Sequence, residues 1–260
     1  MKTRLEPLAY AEAGAGASVV LLHAFPLSWV MWQRDVEQFA SIAHVILPDL
    51  PGFGASPRQP HPSMSAMAAA VADLLDHLKI QEPVILAGLS MGGYVALEFI
   101  RQCPGRVKAL GLFSTRAAAD SPQQREGRMK LIEQLQAHGI EPLMTASLPK
   151  LVGRTSTASR PAVLAQVERL IRAASPDGVI DALRAMAERP DSQPLLSGIR
   201  CPVLIVAGEE DVLIPAQESQ AMAQAIAGAT LDIIPQAGHL VNLEQPELFQ
   251  RVVVLWIKSL

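Results

Sequence analysis

Six short apolar-rich runs punctuate the chain, at residues 19–22, 43–47, 84–87, 107–113, 203–207 and 231–234. Each is too short for a stable helix. Each is apolar almost throughout, as a strand buried on both faces of a parallel sheet must be. Helical periodicity fills the gaps. Between residues 64 and 78, Met64, Met67, Ala68, Val71, Leu74, Leu75 and Leu78 recur at steps of three and four, which gathers them on one helix face. Residues 217–226 repeat that pattern. A final helix starts at Pro246, a residue tolerated in a first turn, and buries Leu248, Phe249, Val252, Val253 and Trp256. Alternation of this kind makes an α/β fold, a mostly parallel sheet flanked by helices.

The alternation breaks once. From Arg116 to Pro190 only helical or irregular patterns occur, among them "REGRMKLIEQLQAHG", "RPAVLAQVERLIRAA" and "PDGVIDALRAMAER". Residues 1–115 and 199–260 therefore read as the core domain, and residues 116–198 as an inserted helical cap. A block inserted at that point lies over the carboxyl ends of the strands, where open α/β sheets hold their ligands.

The third strand runs straight into Gly88-Leu89-Ser90-Met91-Gly92, and a helical pattern follows at once. A turn from buried strand to helix is so tight that its apex takes a strained backbone conformation, with neighbouring backbone close on both sides. Glycines two positions away remove the Cβ atoms that would collide there. The serine oxygen is thereby held out at the top of the sheet, where the next helix aims its first amides. The same glycines also serve plain helix–strand packing, so the pentapeptide alone decides little. Tyr94 stands where a P-loop would need lysine followed by serine or threonine, which excludes that motif.

A serine hydroxyl needs a base, and the base needs an orienting acid. Of six histidines, His44 begins a strand, His61 lies in a proline-rich loop, His77 sits in an amphipathic helix, and His138 ends a cap helix facing solvent. His23 closes the first buried strand and reads as structural. His239, in "IIPQAGHLVNLEQP", follows the last strand at the same sheet edge as Ser90 and is the candidate base. For the acid, "GEEDVLIP" offers Glu209, Glu210 and Asp211 at a strand end. Asp211 is placed toward His239, Glu209 and Glu210 read as solvated charges, and Asp120 is a rival. The order serine, aspartate, histidine is the one the G-x-S-x-G architecture requires.

With these residues in view, the chain resembles the α/β-hydrolase superfamily over essentially its whole length. "LLHAFP" is similar to its oxyanion loop, "DLPGFGAS" to its D-x-x-G-x-G-x-S turn, "GLSMGG" to its nucleophile elbow, and "GHLVNLEQPELF" to its histidine loop and trailing helix. The resemblance is strongest to carboxylesterases and 3-oxoadipate enol-lactonases. It implies Ser90 as nucleophile, Asp211 as acid, His239 as base, and the backbone amides of Phe25 and Met91 as the oxyanion hole. Ala24 departs from the family's usual glycine. Serine rather than aspartate at position 90 argues against haloalkane dehalogenases and epoxide hydrolases.

The function implied is a serine hydrolase of small carboxylic esters or lactones. The same triad also serves perhydrolases, C–C hydrolases and lyases, and some relatives only bind a small ligand. Trp29, Trp32, Met129 and Met144 are candidates to line an apolar substrate pocket. From Arg116 to Pro190 the cap holds 11 Lys plus Arg against 8 Asp plus Glu, and nine of its cations are arginine, the side chain suited to bidentate carboxylate binding. A solvated outer face explains these arginines by default. The sharper reading is that one of them steers an anionic substrate such as an enol-lactone carrying a carboxylate.

The remaining expectations come from composition. With 260 residues, half of them hydrophobic, the chain suits one α/β domain with a lid or insertion, or two small domains, and is ample for a large core. A net charge of −3 argues against a nucleic-acid partner. Cys103 and Cys201 form no CxxC pair and read as two buried thiols. No metal or other cofactor is expected, since no zinc or calcium spacing is visible. "MKTRLEPLAYAEAG" lacks the apolar centre of a signal peptide, and no segment is apolar long enough to span a bilayer. A soluble cytoplasmic protein, monomeric or homodimeric, without a membrane partner, is the expectation.

Overall fold

The computed structural model describes residues 8–59 and 61–260. The signal-peptide expectation, drawn from residues 1–14, falls partly on residues 1–7, which lie outside them. Seven strands occur among the described residues: β1 (Tyr10–Ala13), β2 (Ser18–Leu22), β3 (His44–Pro48), β4 (Val84–Leu89), β5 (Val107–Phe113), β6 (Val203–Gly208) and β7 (Thr230–Ile234). They form one sheet in the order β1-β3-β2-β4-β5-β6-β7, in which only the β1–β3 pair is antiparallel. The α/β architecture expected from the alternation is the one observed.

Two strands differ from expectation. Tyr-Ala-Glu-Ala of β1 carries no apolar run, yet it pairs antiparallel along the sheet edge. An edge strand with one solvated face needs no continuous apolar sequence. The 231–234 run does form β7, but at the opposite edge, where Ile233 is 37% exposed.

Before the block that follows β5, the helices are α1 (Val36–Ala40), α2 (Met64–His77) and α3 (Met91–Gln102). Helix α2 opens on Ser63, whose hydroxyl accepts from the Ala66 amide at 3.0 Å and so caps the helix. Between β5 and β6 come only helices: α4 (Pro122–His138), α5 (Glu141–Leu151), α6 (Arg154–Ser159), α7 (Pro161–Arg172), α8 (Pro176–Ala187) and α9 (Gln193–Leu196). Helix α5 escapes the sequence patterns because Pro149 lies inside it, where only the last turn loses an amide. After β6 come α10 (Ala216–Ala225), α11 (Val241–Glu244) and α12 (Pro246–Lys258).

Helix α12 begins at Pro246 as expected and anchors the chain just beyond His239. Its Phe249 stacks on Trp32 at 6.0 Å and meets Phe113 of β5 edge-on at 5.2 Å between ring centroids. All three rings are fully buried. Removing such a ring costs about 3–5 kcal/mol, so this cluster fixes where the preceding loop can lie. Cys103 and Cys201 are both free and half-buried rather than buried. No described helix is long and apolar enough to cross a membrane.

Candidate active site

Ser90 sits between β4 and α3 with φ 56° and ψ −112°, a conformation that L residues avoid and that stores about 1–3 kcal/mol. Its surroundings hold it there. The Ser90 amide donates to the Phe113 carbonyl at 2.8 Å, and the Thr115 hydroxyl donates to the Ser90 carbonyl at 2.8 Å. A Cβ on Gly88 would lie 2.2 Å from the Gly92 carbonyl, and one on Gly92 would lie 2.3 Å from the Leu22 carbonyl oxygen. The glycine spacing seen in the sequence is thus a steric requirement.

His239 lies in the loop between β7 and α11, and Asp211 in the loop after β6. The two side chains are hydrogen-bonded, Nδ1 to Oδ2, at 2.7 Å, and both are buried. The other oxygen of Asp211 accepts from the amides of Leu213 and Ile214 at 2.8 and 3.0 Å. Those two donors fix the plane of the carboxylate. With the Nδ1 proton directed at Asp211, Nε2 of the imidazole is left as an acceptor. Ser90 and His239 line one cavity of about 440 Å³.

The other candidates sort cleanly. His23 is fully buried. Its Nδ1 donates to the Ala24 carbonyl and its Nε2 accepts from the Leu50 amide, and burial pushes its pKa down to about 4. It is a neutral structural side chain, in keeping with the sequence reading. Asp120 does not approach His239; it is bonded instead to Arg116, Arg128 and Arg189. Burial would raise its pKa, but the bonds and charges of Arg128 and Arg189 outweigh that and hold it at about 2. Glu210 is not the solvated charge that the sequence suggests. Its side chain is 4% exposed and accepts from the amide and hydroxyl of Thr155.

Phe25 lines the cavity, and Met91 is fully buried at the first turn of α3. Among the described residues neither amide has a hydrogen-bond acceptor. The Ala24 amide, by contrast, is engaged by the Met31 sulfur at 3.2 Å.

The four side chains expected in an apolar pocket lie elsewhere. Trp32 belongs to the aromatic cluster with Phe249. The Trp29 amide donates to Asp49, and its ring packs against the core. Met129 is 40% exposed on α4, while Met144 is buried in α5 without reaching the cavity. Instead, the cavity wall from the loop after β5 and from α4, α5 and α8 mixes apolar side chains, Leu131, Leu151, Leu183 and Met186, with cations. Arg116, Arg128, Lys130 and Lys150 line it, and among the described residues no carboxylate does. Arg116 and Arg128 share Asp120, and Lys130 pairs with Glu126 at 2.7 Å. Lys150 is the cavity cation with no acidic partner among the described residues. The only trace of this wall in the sequence is the excess of cations between Arg116 and Pro190.

The chain matches the alpha/beta hydrolase family over residues 19–252. It belongs to that family. As an alpha/beta hydrolase it is 30% identical over 246 residues to a pimeloyl-(acyl-carrier protein) methyl ester esterase of Chromobacterium violaceum, covering 92% of this chain and 94% of that one. It is 27% identical over 224 residues to 3-oxoadipate enol-lactonase 2 of Acinetobacter baylyi, covering 86% and 82%. Among solved structures, a thermophilic esterase from Thermogutta terrifontis, with malate bound, superposes with a TM-score of 0.94 at 38% identity, over 97% of this chain and 93% of its own. Hydrolase activity, the coarse expectation from the sequence, accords with the names of these relatives.

Proposed function

We propose that this alpha/beta hydrolase cleaves small carboxylic esters or lactones through an acyl-enzyme, with Ser90 as nucleophile, His239 as base and Asp211 as the orienting acid. The observation that carries the reading is the Asp211–His239 hydrogen bond at the cavity that Ser90 also lines. The Ser90 oxygen attacks the carbonyl carbon while its proton passes to Nε2 of His239. The tetrahedral oxyanion rests on the amides of Phe25 and Met91, which lack other acceptors. One such donor is worth about 3 kcal/mol of barrier. Collapse breaks the bond to the alcohol, which leaves with the proton from His239. Water then adds by the reverse relay, releasing the acid and restoring Ser90.

Residues 116–198 act in this reading as the cap that shapes the substrate side of the cavity. The cations in its lining favour substrates bearing an anionic group away from the scissile bond, with Lys150, which has no acidic partner among the described residues, as the contact. The test is turnover of p-nitrophenyl butyrate by the wild-type protein and by Ser90→Ala, with fluorophosphonate labelling of Ser90. Wild-type release of nitrophenol that is lost in the variant supports the mechanism. Release that persists in the variant removes Ser90 from it, and labelling without turnover favours a ligand-binding role.

A further inference from the structure

The loop that carries His239 does not rest on the core alone. The chain between α5 and α6 crosses it so closely that a Cβ on Gly238 would lie 2.3 Å from the Gly153 nitrogen. At this crossing sits Glu244, only 3% exposed. One of its oxygens accepts from the Gly238 amide at 2.9 Å; the other accepts from the Gly153 amide at 2.8 Å and the Ser156 hydroxyl at 2.6 Å. The Leu240 amide adds a bond to the Leu151 carbonyl at 3.2 Å. The residues bonded to Glu244 therefore stand on both sides of a boundary, the histidine loop on one and the helical block on the other. Burying a carboxylate is unfavourable unless its oxygens are fully engaged, and an apolar side chain would fill the space more cheaply. An apolar side chain could not hold three donors in fixed directions.

We infer that Glu244 is a positioning residue that fastens the His239 loop to the helical block, so that the proposed base is aligned only while the 152–156 crossing is docked. The inference rests on the ester-hydrolase reading. Helix α5, which ends at this crossing, contributes Lys150 and Leu151 to the cavity wall. One carboxylate thus sets both the imidazole and the wall that faces it.

The test is Glu244→Gln in the full chain, with folding checked by circular dichroism. The amide keeps the volume but turns a second donor toward N–H and O–H groups that need an acceptor. Misalignment on the scale of an ångström lowers kcat by about tenfold to a hundredfold, with KM within about threefold. The downfield proton resonance of the His239 Nδ1–H should weaken in parallel. An unchanged kcat, a change confined to KM, or a loss of kcat with the resonance unmoved would overturn the inference. Should Glu244→Gln not fold, Ser156→Ala removes a single donor; a kcat lowered about twofold to fivefold with a weakened resonance supports the role, and no change in either ends it. Wild-type protein without ester turnover would defeat the hydrolase reading, while the resonance comparison would still decide the role of Glu244.

Discussion

The floor and the roof of the cavity share one apolar core but differ in how their polar groups are held. On the floor, Ser90 is fixed by backbone packing: two glycines at contact distances that admit no Cβ, a strand carbonyl, and a buried aromatic cluster behind the histidine loop. Over it, the helical block also has a buried apolar interior, with Leu143, Val167, Ile171, Val179 and Leu183 in the common core, but charges add further ties. Asp120 gathers Arg116, Arg128 and Arg189, Arg172 bridges Glu141 and Glu168, and Arg58 reaches across to Asp177 and Asp181. Steric packing leaves one arrangement, which suits chemistry that tolerates little displacement. Ion pairs on long side chains can be exchanged singly, which suits a wall that sets which substrate enters.

The sharpest way to separate the two regions is to damage the floor. Ser90→Ala should lower kcat/KM by at least about 10⁴-fold for neutral and anionic esters alike, read by p-nitrophenyl release. A loss confined to one substrate class would break the contrast. Next comes the ionic roof. Asp120→Asn leaves Arg116 and Arg189 buried without their carboxylate and should destabilise the fold by about 3–5 kcal/mol in urea unfolding. A change below about 1 kcal/mol would mean that the arginines find water or other partners.

A pH titration probes the floor more gently. Because burial holds His23 near 4, the folded state resists its protonation while the unfolded chain accepts it from about 6.5. That stability is complete above pH 6.5 and is lost as the pH falls toward 4, by about 3 kcal/mol in all. Asp35, raised to about 7 chiefly by burial, acts in the opposite direction over much of this range. The comparison with His23→Gln therefore isolates the histidine: the variant's melting temperature should fall less between pH 6.5 and 4 than the wild type's.

The smallest expected effect belongs to the roof alone. Lys150→Ala should lower kcat/KM for a mono-p-nitrophenyl dicarboxylate by about 5–10-fold and leave p-nitrophenyl butyrate within twofold, as one partly solvated ion pair permits. Equal losses on both substrates would deny the roof its part in selectivity.

The floor was legible in the sequence because its demands are local. A tight strand–helix turn needs glycine at fixed offsets, and the 88–92 spacing states that need outright. Asp211 and His239 follow from loop position after strands that the apolar runs reveal. The roof was not legible, because a helix repeats every 3.6 residues and its sequence does not say which face meets which neighbour. Trp32 and Met129 illustrate the point: one is drawn into the aromatic core and the other faces solvent, while Lys130 and Lys150 reach the cavity. Glu210 reads as a solvated charge in the sequence, yet its side chain is 4% exposed against Thr155, and nothing in the sequence singles out Glu244, which is buried at the same junction.

Taken alone, the amino-acid order determined the α/β alternation, the place of the helical insertion and the strained serine turn, since each depends on residues within a few positions of one another. Only the tertiary structure decided that Asp211 meets His239, that Lys130 and Lys150 rather than Trp29 and Trp32 line the cavity with Ser90, and that Glu244 spans two regions. Those outcomes depend on contacts between segments far apart in the chain, whose directions are fixed only when the whole core packs.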